Sequence, residues 1–406
     1  MCLYLTALKP TTAVTDGLLP AAARLGLPVV LLTDRVPAHL AAYRGHPCPP
    51  VAVVEAEVTD AGAVAGRVLA LGERYGAPSA LLSNSDHLQA ATALAAGLLG
   101  LPGKDWRAAM RCKNKLLTRR VLAAAGVDTV ASVEIGPGED AAEVAAKLPF
   151  PAVVKPREGV ASEDVLLVGD LAELAAQAAA IRRRRGPCAL VAEEYLAGEL
   201  HTYDTLGDGE RLHRFGSWRT SLGRPPFFTE TGRDWAPCLP RQAERHLRAQ
   251  LSALGVGFGA CHTEFVLDGD RARVIEVNYR LIGDTMEFVC GDLLGVDLFE
   301  QVVRLHLGEP LGALPDPSAV DGHARVRYLA ADRAGMLTEA PPDLADELPG
   351  GIRLGHRRLR EPGVSAPLHG TNRDYLSVVH AIGPVPEAVS AAVDEFVSRH
   401  VWTVAG

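Results

Sequence analysis

Residues 261–280, which read CHTEFVLDGDRARVIEVNYR, decide how the rest of the sequence is interpreted. Two segments rich in apolar and β-branched residues flank a DGD turn, and this pattern predicts a β-hairpin. Along the second predicted strand, Glu276, Asn278 and Arg280 occupy alternate positions. Because successive side chains of a strand point to opposite faces, all three are expected on one face.

The position of Glu264 on the first strand depends on the length of the turn. A two-residue turn pairs residue 264 with residue 275, which places Glu264 on the other face. A three-residue loop at Gly269–Arg271 sets Glu264 opposite Glu276 instead. That arrangement gathers two carboxylates and an amide oxygen, and Mg²⁺ binds such oxygens while phosphate oxygens complete its shell. A solvated strand face is the alternative, and the hairpin alone leaves both interpretations open.

Three further segments carry features of a nucleotide site. Residues 150–162 (FPAVVKPREGVAS) form a predicted buried strand that ends in a lysine, followed by a loop whose N–H groups can fold over a polyphosphate. Residues 191–199 (VAEEYLAGE) form a strand that leads into a hinge broken by glycine, where backbone groups can meet a planar base. Residues 113–119 (KNKLLTR) place a lysine in the first turn of a helix. The helix dipole disfavours a cation there, which favours a role in ligand binding.

Together and in this order, the four segments resemble the ATP-grasp superfamily. The resemblance covers about residues 104–300, and the Glu–x11–Glu–x–Asn–x–Arg spacing is one of its specific parts. It implies that Glu193 and the following backbone contact adenine, that Glu199 contacts ribose, and that two lysines contact phosphates. The implied ATP-binding residues are Lys115, Lys155, Ser162, Glu193, Tyr195, Leu196 and Glu199. The implied magnesium ligands are Glu264, Glu276 and Asn278, and Arg280 is the implied catalytic residue that steadies the acyl phosphate and its tetrahedral successor.

The resemblance also implies a reaction in which a carboxylate attacks the γ-phosphate of ATP and an amine displaces phosphate from the acyl phosphate. The implied cofactors are ATP and one or two Mg²⁺ ions, for which Mn²⁺ can substitute. Within the superfamily, HTEF followed by VIEVNYRLIGD is most similar to the amino-acid ligases. We therefore expect a dipeptide or a γ-glutamyl-type amide as product, made in specialised metabolism. The alternatives are a biotin-carboxylase-like or purine-pathway ligase, and a non-catalytic ATP-binding module.

Five residues are predicted to bind the amino-acid substrates. His213, Arg219 and Arg233 belong to a basic and aromatic region, where a carboxylate could bind and where a basic surface loop is the alternative. His262 is predicted to touch substrate or metal, although a structural histidine fits as well. Asp284 follows Arg280 closely and is predicted to bind an α-ammonium group.

Around this centre the sequence predicts α/β and α+β architecture, with an N-terminal Rossmann-like domain before the ATP-grasp domain and a C-terminal mixed α/β segment after it. The domain limits are predicted at 1–103, 104–310 and 311–406, with a mobile lid subdomain at about 128–196. The first domain lacks a GxGxxG phosphate loop after its first strand and is not expected to bind a dinucleotide. A long loop is predicted over Ser217–Pro240.

Composition excludes several classes of protein. The 406 residues carry 41 basic and 49 acidic side chains, and the net charge of −8 argues against a nucleic-acid-binding protein. Seven scattered cysteines without a CxxC motif fit reduced thiols, and the N-terminal stretch is not expected to be a signal peptide. We therefore expect a cytoplasmic protein, possessing small-molecule amino-acid substrates and no nucleic-acid or membrane partner, and a homodimer by analogy. Only six of the basic residues are lysines, and five of those six lie within residues 104–155.

Overall fold

A four-stranded parallel sheet forms the N-terminal part of the chain in the computed structural model, which describes all 406 residues. The strand order is β3-β2-β1-β4, and every residue of the two central strands is buried. Burial on both faces is typical of a parallel sheet that is covered by helices. These elements confirm the predicted Rossmann-like domain. They are β1 (Cys2–Thr6), α1 (Leu19–Arg24), β2 (Val29–Thr33), α2 (Val36–Ala42), β3 (Ala52–Glu55), α3 (Ala61–Tyr75), β4 (Pro78–Leu82) and α4 (Gln89–Leu98).

Two helices follow the parallel sheet and lead toward the predicted nucleotide site. They are α5 (Trp106–Lys113) and α6 (Lys115–Ala124). Asn114 separates them and caps α6, because its side-chain oxygen accepts a hydrogen bond from the N–H of Leu117. Gly126 follows the helix with a φ of 67°, as expected of a glycine after a helix C-terminus.

A second sheet has a hydrophobic core of its own. Its four strands are antiparallel in the order β5-β8-β6-β7, and thirteen buried residues pack between the sheet and two helices. This unit lies within the range predicted for the lid; that it moves stays a prediction. Its elements are β5 (Ser132–Ile135), α7 (Ala141–Val144), β6 (Ala152–Pro156), β7 (Leu166–Val168), α8 (Leu171–Arg185) and β8 (Leu190–Glu194).

A ten-stranded antiparallel sheet occupies most of the remaining chain. Nine strands follow the order β14-β13-β9-β11-β12-β15-β20-β18-β17, and β10 pairs with β9. The C-terminal part of the chain also forms a small three-stranded sheet, in the order β19-β16-β21. The elements are β9 (Glu199–Asp208), β10 (Leu212–Gly216), β11 (Trp218–Leu222), β12 (Glu230–Trp235), α9 (Arg241–Leu254), β13 (Phe258–Asp268), β14 (Arg271–Asn278), α10 (Met286–Leu294), α11 (Leu298–His306), β15 (His323–Ala330), β16 (Gly335–Glu339), β17 (Leu344–Leu348), β18 (Ile352–Arg358), β19 (Ser365–Ala366), β20 (Tyr375–Gly383), α12 (Pro386–Arg399) and β21 (Thr403–Ala405).

The predicted loop over Ser217–Pro240 is wrong. Strands β11 and β12 form an antiparallel hairpin there, and Trp218 pairs with Trp235 across it. The two indole rings lie 5.0 Å apart and are buried in the core. Within this range, the Pro/Gly-rich stretch between the two strands and residues 236–240 are loop, and in the strands aromatic burial outweighs the turn-forming composition.

The largest hydrophobic core joins the parallel sheet to the large antiparallel sheet. It contains 38 buried residues, drawn from β1, β2, α10 and α11 as well as from β11, β12, β15 and β20. The segment between β14 and α10 therefore lies where the two sheets meet. No helix has the length and hydropathy that a membrane-spanning segment requires.

Candidate functional site

A cleft of about 1150 Å³, part of it open to solvent, lies between the four-stranded antiparallel sheet and the ten-stranded sheet. One wall comes from β6, β8 and the loop after β6, and the other comes from β12, β13 and β14. Most of the predicted site residues line it. These are Lys155, Ser162, Glu193, Tyr195, Leu196, Arg233, His262, Glu264, Glu276, Asn278, Arg280 and Asp284.

The hairpin of β13 and β14 closes with a two-residue turn, because Asp268 pairs with Arg271. The expectation that such a turn would put Glu264 on the wrong face is wrong. The register shifts by one residue after Phe265 pairs with Val274, so Glu264 still lies opposite Glu276. Ile275 is the extra residue of this β-bulge, and bulges re-aim side chains in this way beside functional sites.

The bulge gathers the predicted magnesium ligands at one place. Glu264 and Glu276 face each other across the strands, and Asn278 Nδ2 donates to Glu264 Oε1 at 3.4 Å. No group of three or more His, Cys, Asp or Glu side chains is arranged to hold a metal ion, and the candidate set here includes the amide of Asn278 beside the two carboxylates. Two carboxylates and an amide provide hard oxygen ligands that suit Mg²⁺ with phosphate oxygens in the remaining positions.

Lys115 lies at the start of α6 and connects a candidate magnesium ligand to the loop after β6. Its Nζ donates to Glu276 Oε1 at 2.8 Å and to the carbonyl of Gly159 at 3.0 Å. Burial alone would lower the pKa of Lys115, but the Glu276 carboxylate outweighs burial and raises it. The lysine is therefore a fixed positive charge beside the candidate magnesium ligands. In the same loop, Ala161 and Ser162 have φ values of 56° and 54°, and both line the cleft.

Lys155 and Glu193 form a buried ion pair that also includes Arg119. Lys155 donates to one carboxylate oxygen of Glu193, and Arg119 Nε donates to the other at 2.9 Å. Burial would raise the pKa of Glu193, but the two cations outweigh it and lower the pKa to about 2. Arg119 was missed by sequence reasoning. The sequence feature that could have identified Arg119 is its spacing of four residues from Lys115, which places both side chains on one face of α6.

The hinge after β8 brings Tyr195 and Leu196 to the cleft, whereas Glu199 lies outside it. Tyr195 N donates to the carbonyl of Pro151 at 3.0 Å, which ties the hinge to the start of β6. Gly198 has a φ of 146°, and a Cβ there would lie 2.5 Å from Val266 Cγ1. Glu199 begins β9 with an exposed side chain, and its carboxylate lies 3.5 Å from His201 Nε2. Its ribose contact stays a prediction.

The five predicted substrate residues separate into two groups. Arg233, His262 and Asp284 line the cleft. His213 lies on β10, where its Nε2 contacts the carbonyl of Pro315 at 3.0 Å. Arg219 alternates with buried Thr220 along β11, is exposed, and pairs with Asp234 on the neighbouring strand. The structure therefore does not bring His213 and Arg219 to the cleft.

Each of the two buried cations on the substrate side has an acidic partner that sequence reasoning missed. His262 Nδ1 lies 2.6 Å from Asp204 Oδ1, and although burial lowers the pKa of this histidine, Asp204 outweighs burial and raises it to about 9. Arg233 binds Glu230 through Nε and Nη2 at 2.8 Å, while its Nη1 is buried without a partner. Asp204 comes from β9 and Glu230 comes from the misassigned loop, so neither pairing was predicted.

Comparisons with known proteins bear on the fold. No protein-family model matches the chain. An uncharacterized protein of Sinorhizobium fredii is 29% identical over 366 residues, which cover 87% of this chain and 74% of that protein. Carnosine synthase 1 of Gallus gallus is 30% identical over 286 residues, which cover 64% of this chain but only 30% of the synthase.

Two solved structures are similar over nearly the whole chain. An L-amino acid ligase from Bacillus licheniformis has a TM-score of 0.81 at 20% identity, with 100% of this chain and 99% of that chain covered. The biotin carboxylase domain of a Hydrogenobacter thermophilus 2-oxoglutarate carboxylase, solved with MgADP and bicarbonate, has a TM-score of 0.70 at 16% identity, with 100% and 91% covered. These likenesses confirm the predicted ATP-grasp fold.

Proposed function

We propose that the protein is an ATP-dependent carboxylate–amine ligase that joins amino acids. The observation that carries this proposal is the bulged hairpin, which brings Glu264, Glu276 and Asn278 together beside Arg280. Lys155 lines the same cleft near the end of β6, and Lys115, in the first turn of α6, places its positive charge against Glu276, which also lines the cleft. A site that combines hard oxygen ligands with several buried cations suits the transfer of a phosphoryl group.

In the proposed reaction, a carboxylate oxygen of the first substrate attacks the γ-phosphorus of ATP, and the bond from that phosphorus to the β,γ-bridging oxygen breaks. ADP leaves and an acyl phosphate forms. The amine of the second substrate then attacks the acyl carbon, loses a proton, and displaces inorganic phosphate to leave an amide. Mg²⁺ held by Glu264, Glu276 and Asn278 would neutralise phosphate charge. Arg280 lies next to this set and would stabilise the negative charge of the acyl phosphate and of the tetrahedral intermediate.

The substrate side of the cleft fits amino acids because it offers charges of both signs. The free Nη1 of Arg233 can donate to a carboxylate, and Asp284 can accept from an ammonium group. Because Arg233 already neutralises Glu230, its free Nη1 would orient a bound carboxylate through a hydrogen bond and would add little net positive charge to the site. Dipeptides and γ-glutamyl-type amides are both compatible with this arrangement. The similarity to carnosine synthase and to an L-amino acid ligase supports the same class of substrate.

The proposal is tested by measuring ADP and phosphate release from ATP with pairs of amino acids. We expect release that requires both amino acids, with one amide formed per ADP. Release that requires bicarbonate instead would favour a biotin-carboxylase-like reaction. The chain is also similar in fold to a biotin carboxylase domain. AMP and pyrophosphate would indicate adenylation. ATP binding without turnover for any pair would leave a non-catalytic binding module.

A further inference from the structure

The N-terminal domain contacts the segment that carries Arg280. The loop after β4 approaches residues 279–281, and Asn84 Oδ1 accepts a hydrogen bond from the N–H of Leu281 at 3.3 Å. Gln89, the first residue of α4, fixes this loop by donating to the carbonyls of Ser83 and Ser85 at 2.8 and 2.9 Å. A domain without a phosphate loop of its own therefore reaches the candidate active site.

Asp86, in the middle of this loop, connects two cations. Its Oδ1 lies 3.7 Å from Arg280 Nε, and its Oδ2 accepts from Lys113 Nζ at 2.5 Å. The Asp86 side chain is only 12% exposed. Burial would raise the pKa of Asp86, but Arg280 and Lys113 outweigh burial and lower it. Asp86 is therefore a fixed negative charge directed at the guanidinium of Arg280.

Arg280 is held on two of its three nitrogen atoms. Its Nη1 donates to the carbonyls of Leu281 and Ile282 at 2.8 and 2.6 Å, and its Nε faces Asp86. Its Nη2 donates to no protein group, while the side chain lines the cleft. Of the three guanidinium nitrogen atoms, only Nη2 thus remains free to donate to a ligand.

A second lysine ties the same segment to the N-terminal domain. Lys104 Nζ donates to Gln89 Oε1 at 2.7 Å and to the carbonyl of Tyr279, the residue before Arg280. Its ammonium group also lies 4.5 Å from the centre of the Tyr279 ring. Lys104 and Lys113 belong to the lysine-rich stretch 104–155, in which the family resemblance implies phosphate contacts only for Lys115 and Lys155.

We propose that Asp86, oriented by Lys113, is a positioning residue that holds the Arg280 guanidinium toward the reacting acyl phosphate. This inference rests on the proposed ligase function. An arginine side chain loses rotamer entropy when it is fixed, so a partner that fixes it beforehand removes that cost from the reaction. The N-terminal domain contributes this orientation, and the lysine ties keep its loop in place.

The test compares Asp86→Asn with a matched control, Asp16→Asn. Asp16 also belongs to the N-terminal domain and pairs with Arg357 of β18 at 2.9 Å, far along the chain from the cleft residues. We expect Asp86→Asn to lower kcat by roughly 10- to 100-fold, the usual effect of removing a group that orients a reactive residue. The KM for ATP should stay within about twofold, and the control should keep both constants within about twofold.

A double-mutant cycle separates positioning from general stability. In an Arg280→Ala background, Asp86→Asn should have almost no further effect on kcat, because the residue that it orients is absent. The same fold-loss in both backgrounds would overturn the proposal, as would an unchanged kcat for Asp86→Asn or an equal loss in the control. Lys113→Met should give a smaller loss than Asp86→Asn if the lysine acts through Asp86, and a larger loss would contradict that order.

The positioning claim has a readout that does not depend on turnover. Crystal structures of the wild type and of Asp86→Asn should show the Arg280 guanidinium rotated away from its position beside residue 86 in the variant. An unmoved Arg280 would overturn the proposal even if the variant were slow. Absence of ADP release by the wild type with every amino-acid pair would reject the proposed function, and the two structures would still decide whether Asp86 holds Arg280.

Discussion

Glu193 is the most informative residue for a test of stability, because one buried carboxylate balances both Lys155 and Arg119. Its pKa falls from an ordinary 4.5 to about 2 in the folded protein. Each pKa unit corresponds to about 1.4 kcal/mol, so the ionised carboxylate stabilises the fold by about 3 kcal/mol at neutral pH. Because the folded pKa is lowered, this stabilisation is complete above pH 4.5 and is lost as the pH falls toward 2.

The variant Glu193→Gln keeps the shape of the side chain and removes its charge, which leaves two buried cations without a counter-ion. We expect the free energy of unfolding, measured with urea at pH 7, to fall by about 3 kcal/mol, as for other broken buried ion pairs. The difference between wild type and variant should shrink as the pH falls below 4.5. Glu199→Gln, which changes an exposed carboxylate, serves as the control and should alter stability by less than about 0.5 kcal/mol. A loss below about 1 kcal/mol at pH 7, or a difference that does not change with pH, would refute the reasoning.

Three further predictions concern the cleft. Glu276→Gln should lower the rate of ADP release by more than about 100-fold while circular dichroism shows an unchanged fold, and activity at the wild-type level would exclude Glu276 as a metal ligand. Asp284→Asn should raise the KM for the ammonium-bearing substrate by about 10-fold without changing the KM for ATP, since a hydrogen bond to a charged group is lost; equal changes in both constants would reject the assignment. Gly198→Ala should reduce the unfolding free energy by about 1–3 kcal/mol, because the new Cβ meets Val266 Cγ1 at 2.5 Å, and a stability unchanged from wild type in urea titrations would contradict this.

Much of the fold could be predicted because strong local patterns coincide with the observed elements. The strand Val29–Thr33 and the helix Ala61–Tyr75 are two such elements of the N-terminal domain. The strand is a continuous apolar run, whereas the helix has a helical hydrophobic period and a capping residue, Asp60, whose side chain accepts from the N–H of Ala63. Such signals are local, so they survive without knowledge of tertiary contacts.

The misassigned region 217–240 shows where local signals fail. Its prolines and glycines are typical of a loop, yet Trp218 and Thr220 are buried while Arg219 and Ser221 are exposed. That alternation is the pattern of a half-buried strand, and it was present in the sequence. The hairpin also pairs with β9 on one side and with β15 on the other, and β15 lies far away along the chain.

The candidate site was predictable where one strand carried it and unpredictable where distant strands met. Glu276, Asn278 and Arg280 share a strand or directly follow it, so alternation placed them together. Glu264 joined them through a bulge at Ile275, and a bulge changes register without a distinct local sequence signal. Asp86 could not be assigned from local patterns, because its approach to Arg280 depends on packing between two distant parts of the chain.

The central claim is that a substrate carboxylate takes the γ-phosphoryl group of ATP. It is tested most directly by supplying the carboxylate substrate with both carboxyl oxygens labelled with ¹⁸O and measuring the mass of the phosphate released. We expect one ¹⁸O atom in each inorganic phosphate, because the oxygen that attacks the γ-phosphorus remains on it when the amine displaces phosphate. Unlabelled phosphate, or label found in AMP, would contradict the acyl phosphate and with it the proposed function.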